Sequence, residues 1–118
     1  MAAVYVSNLV INTGSTFSQT FNLESTETNS PLDLTNYTGA SQMRKWAGAS
    51  GKTDFTVTIK EPKTSGTIGI ALTSGQTANL KSGRYVYNIL ITNTQNGTTD
   101  SVVEGMVLVR EGVTRYWQ

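Results

Sequence analysis

The sequence predicts an all-β fold, a sandwich of two antiparallel sheets with about seven strands and one short helical crossover turn. Three observations predict it. Apolar and polar residues alternate with period two in several segments, as in strands with one buried face. Turn residues separate these segments at intervals of about ten to twelve residues. Thr, Ser, Asn and Gly are abundant, and they favour strands and turns over helices.

The chain has 118 residues, enough for one domain, 1–118, and too few for two ordinary ones. A domain of this size buries roughly two-thirds of the surface that its unfolded chain exposes. Its stability therefore does not depend on disulfides, and the absence of Cys is no obstacle to folding.

We predict a strand in each of five segments before residue 74: 4–11, 16–24, 40–47, 54–61 and 67–73. Apolar and polar residues alternate most clearly in 16–24, 54–61 and 67–73. We expect an interruption of the first strand at Ser7 and Asn8. After the fifth strand, Ser74 can cap one turn of helix, and Leu80 would anchor that turn to the core. The turn would cross from one sheet to the other.

The stretch from residue 80 to residue 110 predicts a long hairpin. Its first strand has a period-two series of large side chains: Tyr85, Tyr87, Ile89 and Ile91. A second apolar strand spans residues 101–110. Asn96-Gly97, which lies between the two strands, is the strongest short hairpin signal that a sequence can contain.

The loop length of this hairpin decides which side chains are buried. A two-residue turn at 96–97 would set Ile89 opposite Glu104 and bury an unpaired carboxylate, which is costly. We predict instead a three-residue loop, 95–97, because shifting the pairing by one residue turns every side chain to the other face. Gly97 then adopts a left-handed conformation in a bulge.

In this register Tyr87 lies opposite Gly105, and we expect the glycine to leave room for the tyrosine ring. The other face of the hairpin is mixed rather than purely polar, and it is a candidate contact surface. We place eight residues on that face: Arg84, Val86, Asn88, Leu90, Val102, Glu104, Met106 and Leu108. The candidates for partner contact among them are Val86, Leu90, Met106 and Leu108.

The approach to the hairpin, Leu80-x-x-Gly83-x-Tyr85-x-Tyr87, looks like the approach to strand F of an immunoglobulin-like sandwich. Tyr85 would be a corner tyrosine whose hydroxyl bonds back to the backbone of residues 76–80. Tyr87 stands where antibody domains have a cysteine, so the disulfide of those domains is absent. We therefore predict an immunoglobulin-like topology without the disulfide.

Most kinds of catalysis are excluded by the residue inventory. With no His and no Cys, a His-based triad, a thiol nucleophile and the usual zinc ligands are unavailable. A pair of carboxylates stays formally possible, but none of the eight Asp and Glu residues lies in a recognisable motif. No glycine-rich phosphate loop is present. We expect no enzymatic activity, no cofactor and no metal site.

Charge and hydropathy argue against nucleic-acid and membrane partners. Charged residues make up 14% of the chain and the net charge is +1, too little to attract a polyanion or an anionic bilayer. No apolar run approaches the roughly 20 residues of a membrane span. The first residues lack a basic region ahead of an apolar one, so we expect no secretion signal.

Two aromatic positions have alternative interpretations. We interpret Trp46 as a core residue, because a Trp on the third strand of such a sandwich usually is. Alternatively, Trp46 is a stacking platform for a sugar or a base. Near the C-terminus, Arg115, Tyr116 and Trp117 are of the three types enriched in interface hot spots. They either form a partner contact or fold back on their own domain.

Several stretches between residues 32 and 115 are characteristic in combination: Leu32-Asp33-Leu34-Thr35-Asn36-Tyr37-Thr38, Gln42-Met43-Arg44-Lys45, Thr77-Ala78-x-Leu80-x-x-Gly83-x-Tyr85-x-Tyr87-Asn88, Glu104-Gly105-x-Val107-x-Val109 and Val113-Thr114-Arg115. This succession resembles small structural domains of tailed bacteriophages, most of all the N-terminal domain of baseplate upper proteins. The resemblance implies an immunoglobulin-like sandwich that docks onto other virion proteins and has no enzymatic activity.

In baseplate upper proteins this domain leads into further segments that hold the next tail component, whereas the present sequence stops at Gln118. A free-standing head or tail accessory protein therefore fits the resemblance as well. We expect the partners to be other virion proteins, with homo-oligomers also possible, and the location to be the virion, assembled in the host cytoplasm. The alternative, from another class, is a carbohydrate-binding or adhesion module that uses Trp46 or Trp117.

Overall fold

A computed structural model describes residues 5–24 and 30–112. These residues form nine strands, one α-helix and one 3-10 turn. The strands are β1 (Tyr5–Val6), β2 (Leu9–Asn12), β3 (Phe17–Asn22), β4 (Tyr37–Arg44), β5 (Thr53–Asp54), β6 (Thr56–Ile59), β7 (Thr67–Leu72), β8 (Gly83–Asn93) and β9 (Thr99–Arg110). The helix α1 spans Ser74–Ala78, and the 3-10 turn spans Lys63–Ser65.

The strands form two sheets in the order of an immunoglobulin-like sandwich. The large sheet has the order β1-β9-β8-β4-β5, with β2 also paired to β9, and the small sheet has the order β3-β7-β6. The strand order confirms the predicted sandwich, because β3-β7-β6 corresponds to strands B, E and D and β9-β8-β4-β5 to G, F, C and C′. One feature departs from a purely antiparallel fold, since β1 and β2 run parallel to β9.

The fourth predicted strand, 54–61, is divided between the two sheets. Its first part is β5, which pairs with β4, and its second part is β6, which pairs with β7. Phe55 lies at the crossing point and is buried. Its ring centroid is 5.9 Å from that of Phe17 and 6.2 Å from that of Tyr87, so it joins the two layers. Alternation alone could not locate this crossing, because the pattern continues through it.

The core lies between the sheets and is built from the inward positions of the alternating segments. Its fully buried side chains include Ile11, Leu23, Leu34, Met43, Ile68, Ile70, Leu72, Ile89, Ile91, Val103 and Val107. Burial of each of these side chains stabilises the folded state by on the order of 2 kcal/mol, because it removes apolar surface from water. The period-two pattern therefore identified most of the core, but not Leu34, which lies outside the predicted strands, or Val102, which was placed on the outer side.

The crossover helix is present, but its cap differs from the prediction. The N-cap is Thr73 rather than Ser74, and Thr73 forms a capping box with Gln76. The Thr73 hydroxyl accepts from the Gln76 amide at 3.2 Å, and the Gln76 side chain accepts from the Thr73 amide at 2.8 Å. The sequence signature Thr-x-x-Gln fits this box one residue earlier than we placed it. Leu80 packs against the core as expected.

The β8–β9 hairpin confirms the predicted register in its central part. Tyr85 lies opposite Val107, Tyr87 opposite Gly105, and Ile89 opposite Val103.

The loop of this hairpin is one residue longer than predicted. The Asn93 amide donates to the Thr98 carbonyl at 2.8 Å, so residues 94–97 form a four-residue loop. Gly97 is left-handed as expected, with φ of 74°, and its amide donates to the Asn93 carbonyl.

A bulge at Val102 reconciles this loop with the central register. Ile89 pairs with Val103 but Leu90 pairs with Ser101, which leaves Val102 as the extra residue on β9. Val102 and Val103 are consequently both fully buried. The placement of Val102 on the outer face was therefore wrong, because one extra residue in a strand reverses the alternation beyond it.

Candidate binding face

The exposed large hydrophobic side chains of residues 5–24 and 30–112 gather on one side of the molecule. They are Val6 (77% exposed), Trp46 (64%), Val10 (49%), Met106 (46%) and Leu108 (41%). Four of them, with the half-buried Val86, lie on the solvent side of the large sheet, and we call these five the outer face: Val6, Val10, Val86, Met106 and Leu108. Trp46 stands at its margin.

Strand pairing brings these side chains together. Met106 lies directly opposite Val86 on β8. Leu108 lies beside Val10 on β2. Because neighbouring strands are about 4.8 Å apart, each pair forms a continuous apolar contact across the sheet. The candidates Val86, Met106 and Leu108 are thus assembled into one surface.

Leu90 belongs to the same side of β8 but not to this cluster. It lies four residues beyond Val86, about 13 Å along the strand. Its neighbours across the sheet are Ala40 and Ser101, and it lines neither of the depressions on the outer face. The structure therefore groups three of the four predicted hairpin candidates and separates Leu90.

Two depressions make the outer face uneven. The larger has a volume of about 690 Å³ and is lined by Val6, Gln42, Arg44, Trp46, Val86 and Met106 among others. The smaller, of about 250 Å³, lies between Val10, Arg84 and Leu108. Met106 lines both depressions, so it forms the ridge that separates them. A partner could insert a side chain on either side of this ridge.

A bend at Ser7 and Asn8 positions Val6 and Val10. Tyr5 pairs with Val103 before the bend and Leu9 pairs with Val107 after it. The pairing register is thus the same on both sides of the bend, and Ser7 lies level with Gly105. The Ser7 amide donates to Glu104 at 2.9 Å, and the Asn8 side chain accepts from the Met106 amide at 3.1 Å. These two hydrogen bonds hold the bend to β9 where the regular backbone pairing between the strands is interrupted.

Tyr87 holds this bend from the core side. Its hydroxyl donates to the Ser7 carbonyl at 2.6 Å. Burial raises the pKa of Tyr87 above its usual value of 10.0. The tyrosine therefore connects the core to the backbone that presents the outer face.

Gly105 is needed at this bend for a reason that differs from the prediction. A Cβ atom at Gly105 would collide with the Ser7 carbonyl oxygen and lie 2.8 Å from the Ser7 carbonyl carbon. The glycine therefore makes room for the backbone of the first strand, and not for the Tyr87 ring.

Trp46 is exposed, so its interpretation as a core residue was wrong. The strand predicted for residues 40–47 is β4, and it ends at Arg44 rather than continuing to residue 47. A turn follows, in which the Ala49 amide donates to the Trp46 carbonyl at 2.9 Å. The Arg44 guanidinium donates to the Ala49 carbonyl and closes the turn. Trp46 is thereby held at the rim of the large depression.

Trp46 also borders a second groove, of about 410 Å³, on the other side of the turn. Three lysines line this groove: Lys45, Lys52 and Lys81. Lys52 is paired with Asp54 at 2.8 Å, and this hydrogen bond lowers the pKa of Asp54. The Lys45 ammonium lies 4.7 Å from the centre of the Tyr85 ring. The groove is therefore basic and has an aromatic wall.

Tyr85 acts as the predicted corner tyrosine, with two differences. Its hydroxyl donates to the Lys81 carbonyl at 2.7 Å, one residue beyond the expected range of 76–80. The bond is exposed rather than buried. A solvent-exposed bond contributes less to stability than a buried one, because water can replace it.

The small sheet shows that an apolar solvent side is not a requirement of this sandwich. Its outward residues on the two edge strands are polar: Ser18, Thr20, Asn22, Thr56 and Thr58. The two solvent sides thus have different compositions on a single scaffold. A concentration of apolar side chains on only one of them is the usual sign of a contact surface.

The described residues hold no group of three or more His, Cys, Asp or Glu side chains that could bind a metal ion. Among these same residues, no helix is long and apolar enough to span a bilayer. The candidates Arg115, Tyr116 and Trp117 lie outside the described part of the chain. The site therefore consists of the outer face and the Trp46 rim.

No protein-family model matches the chain, and no curated protein matches it. The function has to be inferred from the surface itself.

Sequence reasoning missed Val6 and Val10. The segments Val4-Tyr5-Val6 and Leu9-Val10-Ile11 are apolar throughout, a pattern that is typical of strands buried on both sides. Only the sheet order shows that nothing in the described residues covers their outer side. For Trp46 a signal existed, since it is three residues from the inward Met43 and so has the outward parity of Arg44.

Proposed function

We propose that the protein is a non-enzymatic structural protein of a tailed-phage virion, which docks onto another virion protein through the outer face. The observation that supports this most strongly is the gathering of exposed apolar side chains on one sheet. The resemblance of residues 32–115 to phage structural domains supports the same assignment.

The composition of the outer face fits a protein partner. Met106 and, at the margin of the face, Trp46 are residue types enriched in interface cores. Arg44 and Glu104 border the large depression and would form the polar rim of such a contact. A methionine ridge between two depressions can adapt to the shape of an inserted side chain.

The proposal is tested by co-expressing the chain with the products of the genes beside its own. We expect a neighbouring capsid or tail protein to co-purify and to form a complex of defined mass by light scattering. Neighbouring genes that encode no virion protein, together with no complex in any co-expression, would refute the assignment.

A carbohydrate-binding or adhesion module is the second candidate, and the exposure of Trp46 favours it. An exposed indole beside a groove can stack on a sugar ring, and the three lysines of the second groove would attract an acidic sugar. Tryptophan fluorescence during titration with a neutral and a uronic-acid oligosaccharide tests this candidate. Quenching that Trp46→Ala abolishes and Trp117→Ala leaves intact would support it, and an unchanged spectrum would exclude it for these sugars.

A further inference from the structure

The described sheets end in four edges, and three of these are protected against pairing with another chain. The β1–β2 edge is interrupted at Ser7 and Asn8. The β5 edge is two residues long and has the Lys52–Asp54 ion pair. The β6 edge is followed by Lys60 and, two residues later, by a proline. Interruption, shortness, charge and proline are the usual means of blunting an edge.

The fourth edge, β3, has none of these protections. It spans six residues, Phe17–Asn22, with no charge, glycine or proline. Its pairing with β7 is regular from end to end, and no described strand pairs with its other side. The β3 edge is therefore a template for an additional strand.

The backbone groups that face solvent on this edge can be identified. The Leu23 amide donates across the sheet to the Gly66 carbonyl at 2.8 Å. Because the bonding direction alternates along a strand, Ser18, Thr20 and Asn22 direct their amide and carbonyl groups away from β7. Among the described residues, the Thr20 carbonyl accordingly receives a single long hydrogen bond, 3.4 Å, from the side chain of Gln19.

The sequence of β3 is complementary to itself. About Gln19 as a centre, antiparallel pairing of two copies sets Phe17 opposite Phe21 and Ser18 opposite Thr20. Both phenylalanines are partly exposed at this edge, and such a pair buries aromatic surface across the strands. The Ser18 and Thr20 pairs would exchange backbone hydrogen bonds.

We infer that two copies of the chain associate through β3, in an antiparallel pairing centred on Gln19, to form a continuous six-stranded sheet with two-fold symmetry. A two-fold axis is the usual symmetry for one surface that contacts itself. This contact lies on the small sheet, so it leaves the outer face of the large sheet free. It is independent of the proposed docking function.

The test is sedimentation velocity of the full chain over a wide concentration range. We expect the mass to rise from 12.7 kDa toward twice that value. In Gln19→Glu, two identical charges face each other across the axis, so we expect at least a tenfold weaker dimer at pH 7. Gln95→Glu makes the same chemical change in the exposed β8–β9 loop and should dimerise like the wild type.

A second pair of variants separates the two edges of the small sheet. Thr20 and Thr58 flank the same residue, Gly69, from β3 and β6. We expect Thr20→Lys to weaken the dimer and Thr58→Lys to leave it unchanged. A monomer at all concentrations would overturn the inference, and so would a dimer that Gln19→Glu and Thr20→Lys do not affect. A β3 edge that binds only a strand of another protein would also overturn it.

Discussion

The β8–β9 hairpin has two apolar faces, and they differ in what covers them. On the inner face, Tyr87, Ile89 and Val107 are buried against the second sheet. On the solvent face, Val86, Met106 and Leu108 meet no second layer among the described residues. The same two strands therefore contribute to stability on one side and offer a contact surface on the other.

This difference separates two classes of substitution. Changes on the inner face and at the bend should reduce the free energy of unfolding, because they disturb packed atoms or buried hydrogen bonds. Changes on the solvent face should leave folding nearly unaffected and remove partner binding.

Gly105→Ala should have the largest effect. The added methyl group meets the Ser7 carbonyl, which is backbone and bonded to Tyr87, so the first strand has to move. We expect a loss of about 3 kcal/mol in the free energy of unfolding, measured by urea denaturation. Gly51→Ala is the matched control, because a Cβ atom there meets nothing within 4 Å. Equal midpoints for the two variants would contradict the close approach at Ser7.

Tyr87→Phe should cost about 2 kcal/mol, because the Ser7 carbonyl loses its hydroxyl partner. The ring and its contact with Phe55 remain in this variant, so the loss measures the hydrogen bond rather than packing. Urea denaturation of both proteins at pH 7 gives the difference. A phenylalanine variant as stable as the wild type would show that Tyr87 does not hold the bend.

The same tyrosine predicts a dependence on alkaline pH. Because burial raises the pKa of Tyr87 in the folded state above 10.0, its contribution is complete below about pH 10 and is lost as the pH rises toward the folded pKa. The wild type should therefore lose more stability than Tyr87→Phe between about pH 9 and pH 11. Parallel losses in the two proteins would exclude Tyr87 as the titrating group.

Gly97→Val tests the hairpin loop and should cost about 1 kcal/mol, because a β-branched residue is strained at φ of 74°. A Cβ atom there meets nothing within 4 Å, so the cost comes from conformation alone. Gly97→Asn is the control, since asparagine tolerates the left-handed region and should cost less. Identical losses in the two variants would point to a cause other than backbone conformation.

The hairpin also shows what could be predicted from the sequence. The register at Tyr87 and Gly105 was predicted correctly, because the alternative pairing would bury the Glu104 carboxylate. The loop length was wrong, because nothing in the sequence marks Val102 as the extra residue of a bulge. The loop is one residue longer than predicted, and β9 has one unpredicted extra residue at Val102. These two differences compensate each other, so the predicted pairing is correct in the centre of the hairpin.

The contact surface could be predicted only in part. Alternation identified Val86, Met106 and Leu108 as outward residues, because strand period is a local property. The proximity of Val10 to Leu108 depends on a parallel pairing between strands about 98 residues apart. Such a pairing has no local signal, so the full extent of the surface needed the tertiary structure.

The most direct test of the account compares binding and stability in one pair of variants. Met106→Glu with Leu108→Glu places two charges on the outer face, and Thr56→Glu with Thr58→Glu places two on the opposite side of the sandwich. We expect the first variant to bind the co-purified virion protein at least 100-fold more weakly, while its free energy of unfolding changes by no more than about 1 kcal/mol. The second variant should bind like the wild type. A folded Met106→Glu and Leu108→Glu variant that retains full affinity would contradict the outer face as the docking surface.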